Sequence, residues 1–310
     1  MRRPDRTTVA IGAALVASLA AGPLLPKWAL FLVEVALAKG LVALGLLLLM
    51  RTGLVSFGQG LYFALGAYAG GLAAQAWGLG DAVAMLLLGM LAAAAVAGVV
   101  GLLLARYRTI FFAMLSLAFS MILYGLLVKS SALGSTDGFN IEPTTVAGFA
   151  RSRGSVYALA VVVAAAAAWG MHRFLLSPRG RLAPAIRDNE LRVEYMGASV
   201  RAAVHLNLVL AAAMAGLGGG VNALAVGHID PEMAYWTTSG EFVFVAILSG
   251  TASPIAPFAG AILLELLRSF AYEYSPNTWQ MVIGTAMLLV ILFLPSGLWS
   301  VFRARGRAAG

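Results

Sequence analysis

The chain has 310 residues, of which 61% are hydrophobic and 11% charged, with a mean hydropathy of +0.90. A soluble domain of this length carries roughly 25% charged residues to cover its surface, so the composition excludes a water-soluble globule. The absence of cysteine excludes disulfides, thiolate catalysis and Cys-based metal sites, and a net charge of +8 raises nucleic acid as a partner until its distribution is read.

In lipid, backbone polar groups must be paired internally, which leaves helices or closed barrels. Runs such as "AMLLLGMLAAAAVAGVVGLLLA" lack the period-two alternation of barrel strands. The expected fold is an all-α integral membrane protein with about 8–10 transmembrane helices, at roughly 20 apolar residues per span. Apolar segments run approximately over 9–25, 28–50, 54–77, 82–105, 110–128, 155–176, 204–226, 241–253, 255–271 and 279–299. The first follows Arg2, Arg3 and Arg6 and reads either as a signal peptide or as a retained helix. Its direct continuation into Lys27 and another span favours retention. The segment 241–253 is too short to cross alone and is interrupted by Pro254 and Pro257, so a half-helix or re-entrant element is expected there.

Lys and Arg mark the cytoplasmic side of a membrane. With the N-terminus inside and ten alternating segments, fifteen of the 21 basic residues fall inside and four outside, the other two lying within spans. Both termini are then cytoplasmic. The basic balance becomes a signal of topology, and nucleic acid drops out as a partner. Two loops are long: residues 129–153 outside and 177–203 inside.

Several chemistries are missing from the motifs. No G-x-x-x-x-G-K-[ST] cradles a nucleotide. The three histidines show no metal spacing, and no G-x-S-x-G marks a nucleophile. The glycines Gly216, Gly218, Gly219 and Gly220 suit close helix packing.

Polar residues within spans carry the functional signal, because charge at mid-membrane costs about 2.5–3.5 kcal/mol on insertion scales. Glu34 and Lys39 share a span, and Glu265 and Arg268 are spaced to pair on one helical face. Structural pairing is the reading favoured for both sets. Glu241 opens the short segment, as a cap or as the carboxylate orienting a broken helix at a pathway. Ser56 and Gln59 lie at i,i+3 near the start of a span, and Ser116 and Ser120 share a face at i,i+4. The first pair reads either as polar glue between helices or as lining of a translocation path, and the second either as serines bonded back to their own helix backbone or as lining of the same path.

The densest charge lies in "SPRGRLAPAIRDNELRVEYMGASV", Ser177 to Val200, with seven charged residues. Its alternating signs predict a short amphipathic helix with Leu191, Tyr195 and Val193 or Met196 as its apolar residues. Asp188 or Asn189 would cap it, and Gly197 would end it. Such a knob can dock into a soluble partner or lie on the membrane surface.

In order and spacing, "SFGQ" at Ser56–Gln59, "GAY" at Gly66–Tyr68, "FFAMLSLAFSMILY" at Phe111–Tyr124, "GSTDG" at Gly134–Gly138, "SPRGR…AIRDNE" at Ser177–Glu190, "WTTSGE" at Trp236–Glu241 and "FLPSGL" at Phe293–Leu298 resemble the LivM-type permease subunit of branched-chain amino acid ABC transporters. The resemblance runs from about residue 40 to 298. It implies a single transmembrane permease domain over 1–310 in a bacterial inner membrane. The partners implied are a second related permease subunit, two cytoplasmic ATPase subunits that use ATP, and a periplasmic substrate-binding protein that docks on the external loops. No cofactor is implied for this chain itself, and it is not an enzyme. Arg187, Asp188, Asn189, Glu190 and Gly197 fall in the family's coupling segment to the ATPase. Ser56, Gln59, Ser116, Ser120 and Glu241 become the pathway candidates. Two departures stand out: Ser249–Gly250 in place of paired glycines, and Pro184, which would delay the coupling helix to near Ala185. The alternative function is an ion-coupled secondary transporter with Glu34, Lys39 or Glu265 as relay.

Overall fold

A computed structural model describes residues 5–142, 145–274, 276, 278–293 and 297–299. Expectations resting on Arg2, Arg3, Arg303, Arg305, Arg307 and the Pro295 of "FLPSGL" lie outside these residues. The helices are α1 (Arg6–Ala21), α2 (Lys27–Arg51), α3 (Gln59–Trp77), α4 (Ala82–Leu104), α5 (Thr109–Lys129), α6 (Arg153–Leu176), α7 (Pro178–Asp188), α8 (Glu190–Tyr195), α9 (Val200–Val226), α10 (Trp236–Ser249), α11 (Ala256–Tyr274) and α12 (Trp279–Phe293). All but α7 and α8 coincide with an apolar segment of the sequence. Among the described residues six helices are long and apolar enough to cross a membrane, as a multi-pass membrane protein requires.

A helix apolar on every side belongs in the middle of a bundle, and α2 is buried from Ala36 to Leu49. Its main neighbour is α9, and the two form the axis of the fold. Helices α3 and α4 pack on α9, while α10 and α11 pack on α2. The triplet α2–α3–α4 is thus repeated in the reverse direction by α9–α10–α11. In each, a long helix is followed by a break and a second helix that starts inside the bundle.

Glycine permits the close approach at the axis. A Cβ on Gly219 would overlap the Phe63 carbonyl of α3, and one on Gly216 would reach 2.6 Å from the Ala93 Cβ of α4. These contacts are backbone against helix, so neither neighbour can yield cheaply.

The bundle has two chemically different ends. At one, Arg51 donates to the carbonyls of Thr251 and Ala252 at 2.8 and 3.1 Å, Arg187 lies against Gly53, and Arg201 donates to the Leu102 carbonyl at 3.2 Å. The helices α7 and α8 project at this basic end. At the other end, β1 (Phe139–Asn140) pairs with β4 (His228–Ile229), and β2 (Thr145–Val146) with β3 (Phe149–Ala150), both antiparallel. The second hairpin is fastened by Asp81. This carboxylate caps α4 through the Val83 and Ala84 amides and accepts from Gly148 N–H at 2.9 Å and Thr145 hydroxyl at 3.1 Å. Led by the Gly148 amide, these donors outweigh burial and hold the Asp81 carboxyl below the usual carboxylate range.

The structure corrects one expectation about the coupling segment. Its first helix starts at Pro178 rather than near Ala185, and Pro184 sits inside it. Pro184 is exposed, and its missing N–H takes from the Gly180 carbonyl only the i+4 donor of a regular helix. Ser177 stabilises the earlier start by accepting from Gly180 N–H at 3.2 Å.

Candidate functional site

Two breaks in the helical bundle converge. After Arg51 the chain turns back as an extended stretch, and α3 begins only at Gln59. After α9, the strand β4 and a 3₁₀ turn (Pro231–Ala234) lead inward to α10 at Trp236. Ser120 of α5 donates to the Ala234 carbonyl at 2.8 Å. It lies about 16 Å along its helix from Thr109 at 1.5 Å per residue, which sets both breaks deep in the bundle. Helix α10 has 14 residues, about 21 Å of length against roughly 30 Å of hydrocarbon. It is the half-helix expected from the sequence.

The nest between the breaks is made of serine and glutamine. Gly60 N–H donates to Ser239 Oγ at 2.9 Å, tying the first turn of α3 to α10. Phe57 N–H donates to Ser116 Oγ at 3.2 Å, and Gly58 N–H to Ser56 Oγ at 3.2 Å. Ser56, Gln59, Ser120 and Ser239 are fully buried. Four of the five pathway candidates therefore meet: Ser56, Gln59, Ser116 and Ser120. Ser239 was missed, although it stands two positions before Glu241 within "WTTSGE".

Gln59 is the chemically unresolved member. Neither its Oε1 nor its Nε2 has a hydrogen-bond partner among the described residues, and an unsatisfied buried polar group costs about 1–3 kcal/mol. The amide stands where two helix N-termini meet, each equivalent to about half a positive charge. The nest can therefore hold a carboxylate through helix ends and hydroxyls, while Gln59 both donates and accepts.

Glu241 sits apart from this nest. Helix α10 begins five residues before it, so Glu241 is neither its first residue nor its cap. The carboxylate is drawn sideways by two cations. Lys39 Nζ of α2 lies 2.6 Å from Glu241 and 2.5 Å from Glu265. Arg268 of α11 pairs with Glu241 and lies 3.5 Å from Glu265. Two cations thus neutralise two carboxylates across α2, α10 and α11. The i,i+3 pairing of Glu265 with Arg268 was legible from spacing; the role of Lys39 was not. One side of this quartet opens on a groove of about 850 Å³, where Glu241 and Arg268 are flanked by Thr237, Thr238 and Tyr272. Glu34 has no hydrogen bond or ion pair with Lys39 or Glu265 among the described residues, so the three do not line up as a relay.

The candidates of the charged segment gather at the basic end. Asn189 separates α7 from α8 and caps α8 by accepting from Arg192 N–H at 2.9 Å. Gly197 follows α8 with φ of +86°, a left-handed turn that suits glycine. Glu190 receives Arg108 Nε at 2.6 Å, fastening α8 to the turn between α4 and α5. Arg187 packs along Gly53, and Asp188 is exposed at the end of α7. Of the apolar residues, Val193 is buried, whereas Leu191, Tyr195 and Met196 are 65%, 89% and 69% exposed. The most outward apolar surface of the segment therefore lies between Glu190 and Gly197, just beyond Arg187, Asp188 and Asn189.

The family model described as branched-chain amino acid transport system / permease component matches residues 28–292. The high-affinity branched-chain amino acid transport system permease proteins LivM of Escherichia coli K12 and Salmonella typhimurium LT2 are 28% and 27% identical to the chain over 282 residues. Each match covers 81% of this chain and 65% of the relative, so the chain spans somewhat less than two thirds of the length of these curated relatives. No solved structure matches it. With most of its length inside the family's match, the chain belongs to the permease components of branched-chain amino acid transport systems.

Proposed function

We propose that the chain is the membrane-spanning permease subunit of an ATP-driven ABC importer, carrying branched-chain amino acids or related small polar solutes. It works as one transmembrane domain in a bacterial inner membrane, with the basic end and both termini in the cytoplasm. A second related permease completes the path. Two cytoplasmic ATPase subunits hydrolyse ATP, so this chain needs no catalytic centre. A periplasmic binding protein docks on the hairpin end, over residues 129–153 and 227–240.

The observation that carries this reading is α8. It is a short, capped helix at the basic end that exposes Leu191, Tyr195 and Met196 and is braced from behind by Arg108. Apolar side chains clustered outside a bundle mark an interaction surface, and this reading assigns the surface to the ATPase subunits. In the mechanism, closure of the ATPase pair pushes on α7 and α8, and these shift α9, to whose N-terminus they lead. The occluded nest of Ser56, Gln59, Ser116, Ser120 and Ser239 then opens alternately to each side. ATP drives the change only through its different affinity for the two states.

The test is purification of the tagged chain from its host in mild detergent. The reading expects a second permease and ATPase subunits to co-purify, and to be lost when 185–197 is replaced by a Gly/Ser linker. A solitary chain that transports in vesicles without ATP, and stops on addition of a protonophore, would establish the ion-coupled alternative.

A further inference from the structure

A second polar cavity lies at the hairpin end, away from the nest. It is a pocket of about 430 Å³ between α2, the start of α6 and the end of α9, within the size range of small-molecule sites, about 300–1,000 Å³. Glu34 forms its inner wall, about 10 Å along α2 from Lys27 at 1.5 Å per residue. The side chain is 2% exposed, and its Oε1 has no hydrogen-bond partner. Arg151 and Arg153 line the same pocket and are near enough to act on Glu34 electrostatically. Yet among the described residues neither guanidinium forms an ion pair or hydrogen bond with it. Ile141, Val156 and Leu224 supply an apolar wall, and Glu142 stands exposed beside them.

A buried carboxylate without a partner is costly, and here two cations stand by without closing on it. A simple cation would be repelled by the guanidiniums, and a simple anion by Glu34. A ligand carrying both charges on adjacent atoms, with a branched hydrocarbon behind them, answers all three walls. We propose that this pocket is a receiving site for an aliphatic α-amino acid, with its ammonium on Glu34, its carboxylate on Arg151 and Arg153, and its side chain against Ile141, Val156 and Leu224. It accepts the solute at the outer face, before the solute reaches the nest. The choice of solute rests on the importer reading above; the site itself rests on the pocket.

The experiment is equilibrium binding of labelled L-leucine to the full chain, with its co-purifying partners, in lipid nanodiscs and without binding protein. Glu34→Gln, and separately Arg151→Gln with Arg153→Gln, should each weaken binding at least about tenfold, the loss of one charge-assisted contact. Leucinamide, which lacks the carboxylate, and 4-methylpentanoate, which lacks the ammonium, should compete poorly. Thermal unfolding of E34Q controls for folding, and it should be no less stable than the parent. Unchanged leucine binding by E34Q, or competition by 4-methylpentanoate equal to that by leucine, overturns the site. So does absence of leucine binding in a preparation that performs ATP-driven leucine uptake, and that result leaves the importer reading standing. Leucine binding that needs Glu34, in a chain without partners or uptake, supports the site and removes the importer.

Discussion

Lys39 and Glu265 are separated by 226 positions in the chain and by 2.5 Å in the fold. Each is about nine-tenths buried as a side chain, so each is tolerable inside the bundle because of the other. Removing one partner of a buried pair costs about 3–5 kcal/mol, whereas replacing both with apolar groups of similar volume is often neutral. Lys39→Met should therefore lower the unfolding temperature in detergent more than Lys39→Met combined with Glu265→Met, because Glu241 and Arg268 still satisfy each other in the double variant. A double variant less stable than the single one would contradict the pairing.

Gln59 separates stability from transport. Its amide has no partner in the occluded nest, so Gln59→Leu removes an unmet polar group and should stabilise the chain by about 1–3 kcal/mol. The same change removes the donor and acceptor offered to the solute, and uptake in reconstituted vesicles should collapse. Ser239→Ala should act in the opposite sense on stability, because it strips the acceptor from Gly60 N–H.

At the axis, Gly219→Ala pushes a methyl group into the Phe63 carbonyl and should destabilise by about 1–3 kcal/mol, as overpacking does. Gly125→Ala in α5 meets nothing within 4 Å, and the gain in helix propensity should stabilise by up to about 1 kcal/mol. Thermal unfolding of the two variants side by side checks the sign of each.

The brace behind α8 predicts a charge swap. Arg108→Glu or Glu190→Arg alone should loosen α8 and lower uptake per ATP hydrolysed. The double swap should restore coupling. The pair is partly exposed, so the stability change stays within about 1 kcal/mol. Tyr195→Ala leaves the brace intact and should instead weaken retention of the ATPase subunits during purification.

Asp81 gives the hairpin end a pH dependence. Its folded carboxyl titrates below the unfolded value of about 3.9, so the fastening is fully present above that value and is lost as pH falls through the folded one. Hydrogen exchange at the amides of 145–150 should rise steeply only in that acid range. Asp81→Ala should show the fast exchange already at neutral pH.

The helices of the bundle were legible because each holds a run of apolar residues long enough to be bounded. The breaks were less so. The segment expected from residue 54 becomes helical only at Gln59, because Leu54, Val55 and Phe57 are as apolar as the span they precede. What holds them extended is a distant bond, Phe57 N–H to Ser116. The same holds for Glu241: its sequence neighbours gave it a cap's position, while Lys39 and Arg268 gave it its partners. Resemblance placed Glu190 in the coupling segment, but its partner Arg108, 82 positions away, was not legible there. Local pattern reveals where a helix can form, but a partner brought by the fold decides what each polar side chain is for.

The glycine seam of α9 bears on motion as well as packing. Side-chain knobs seated in a neighbour's holes must be lifted out before a helix can move along its axis. At Gly216, Gly218, Gly219 and Gly220 helix α9 itself presents no such knobs, and what it meets is the Phe63 backbone of α3 together with the side chains of Val42 in α2 and of Leu86 and Ala93 in α4. In the importer proposed above, an axial shift of α9 would therefore have no side chain of its own to lift out at these four positions, and the repacking falls on Val42, Leu86 and Ala93. The residues that bring α9 closest to its neighbours are also those at which it has no rotamer of its own to change.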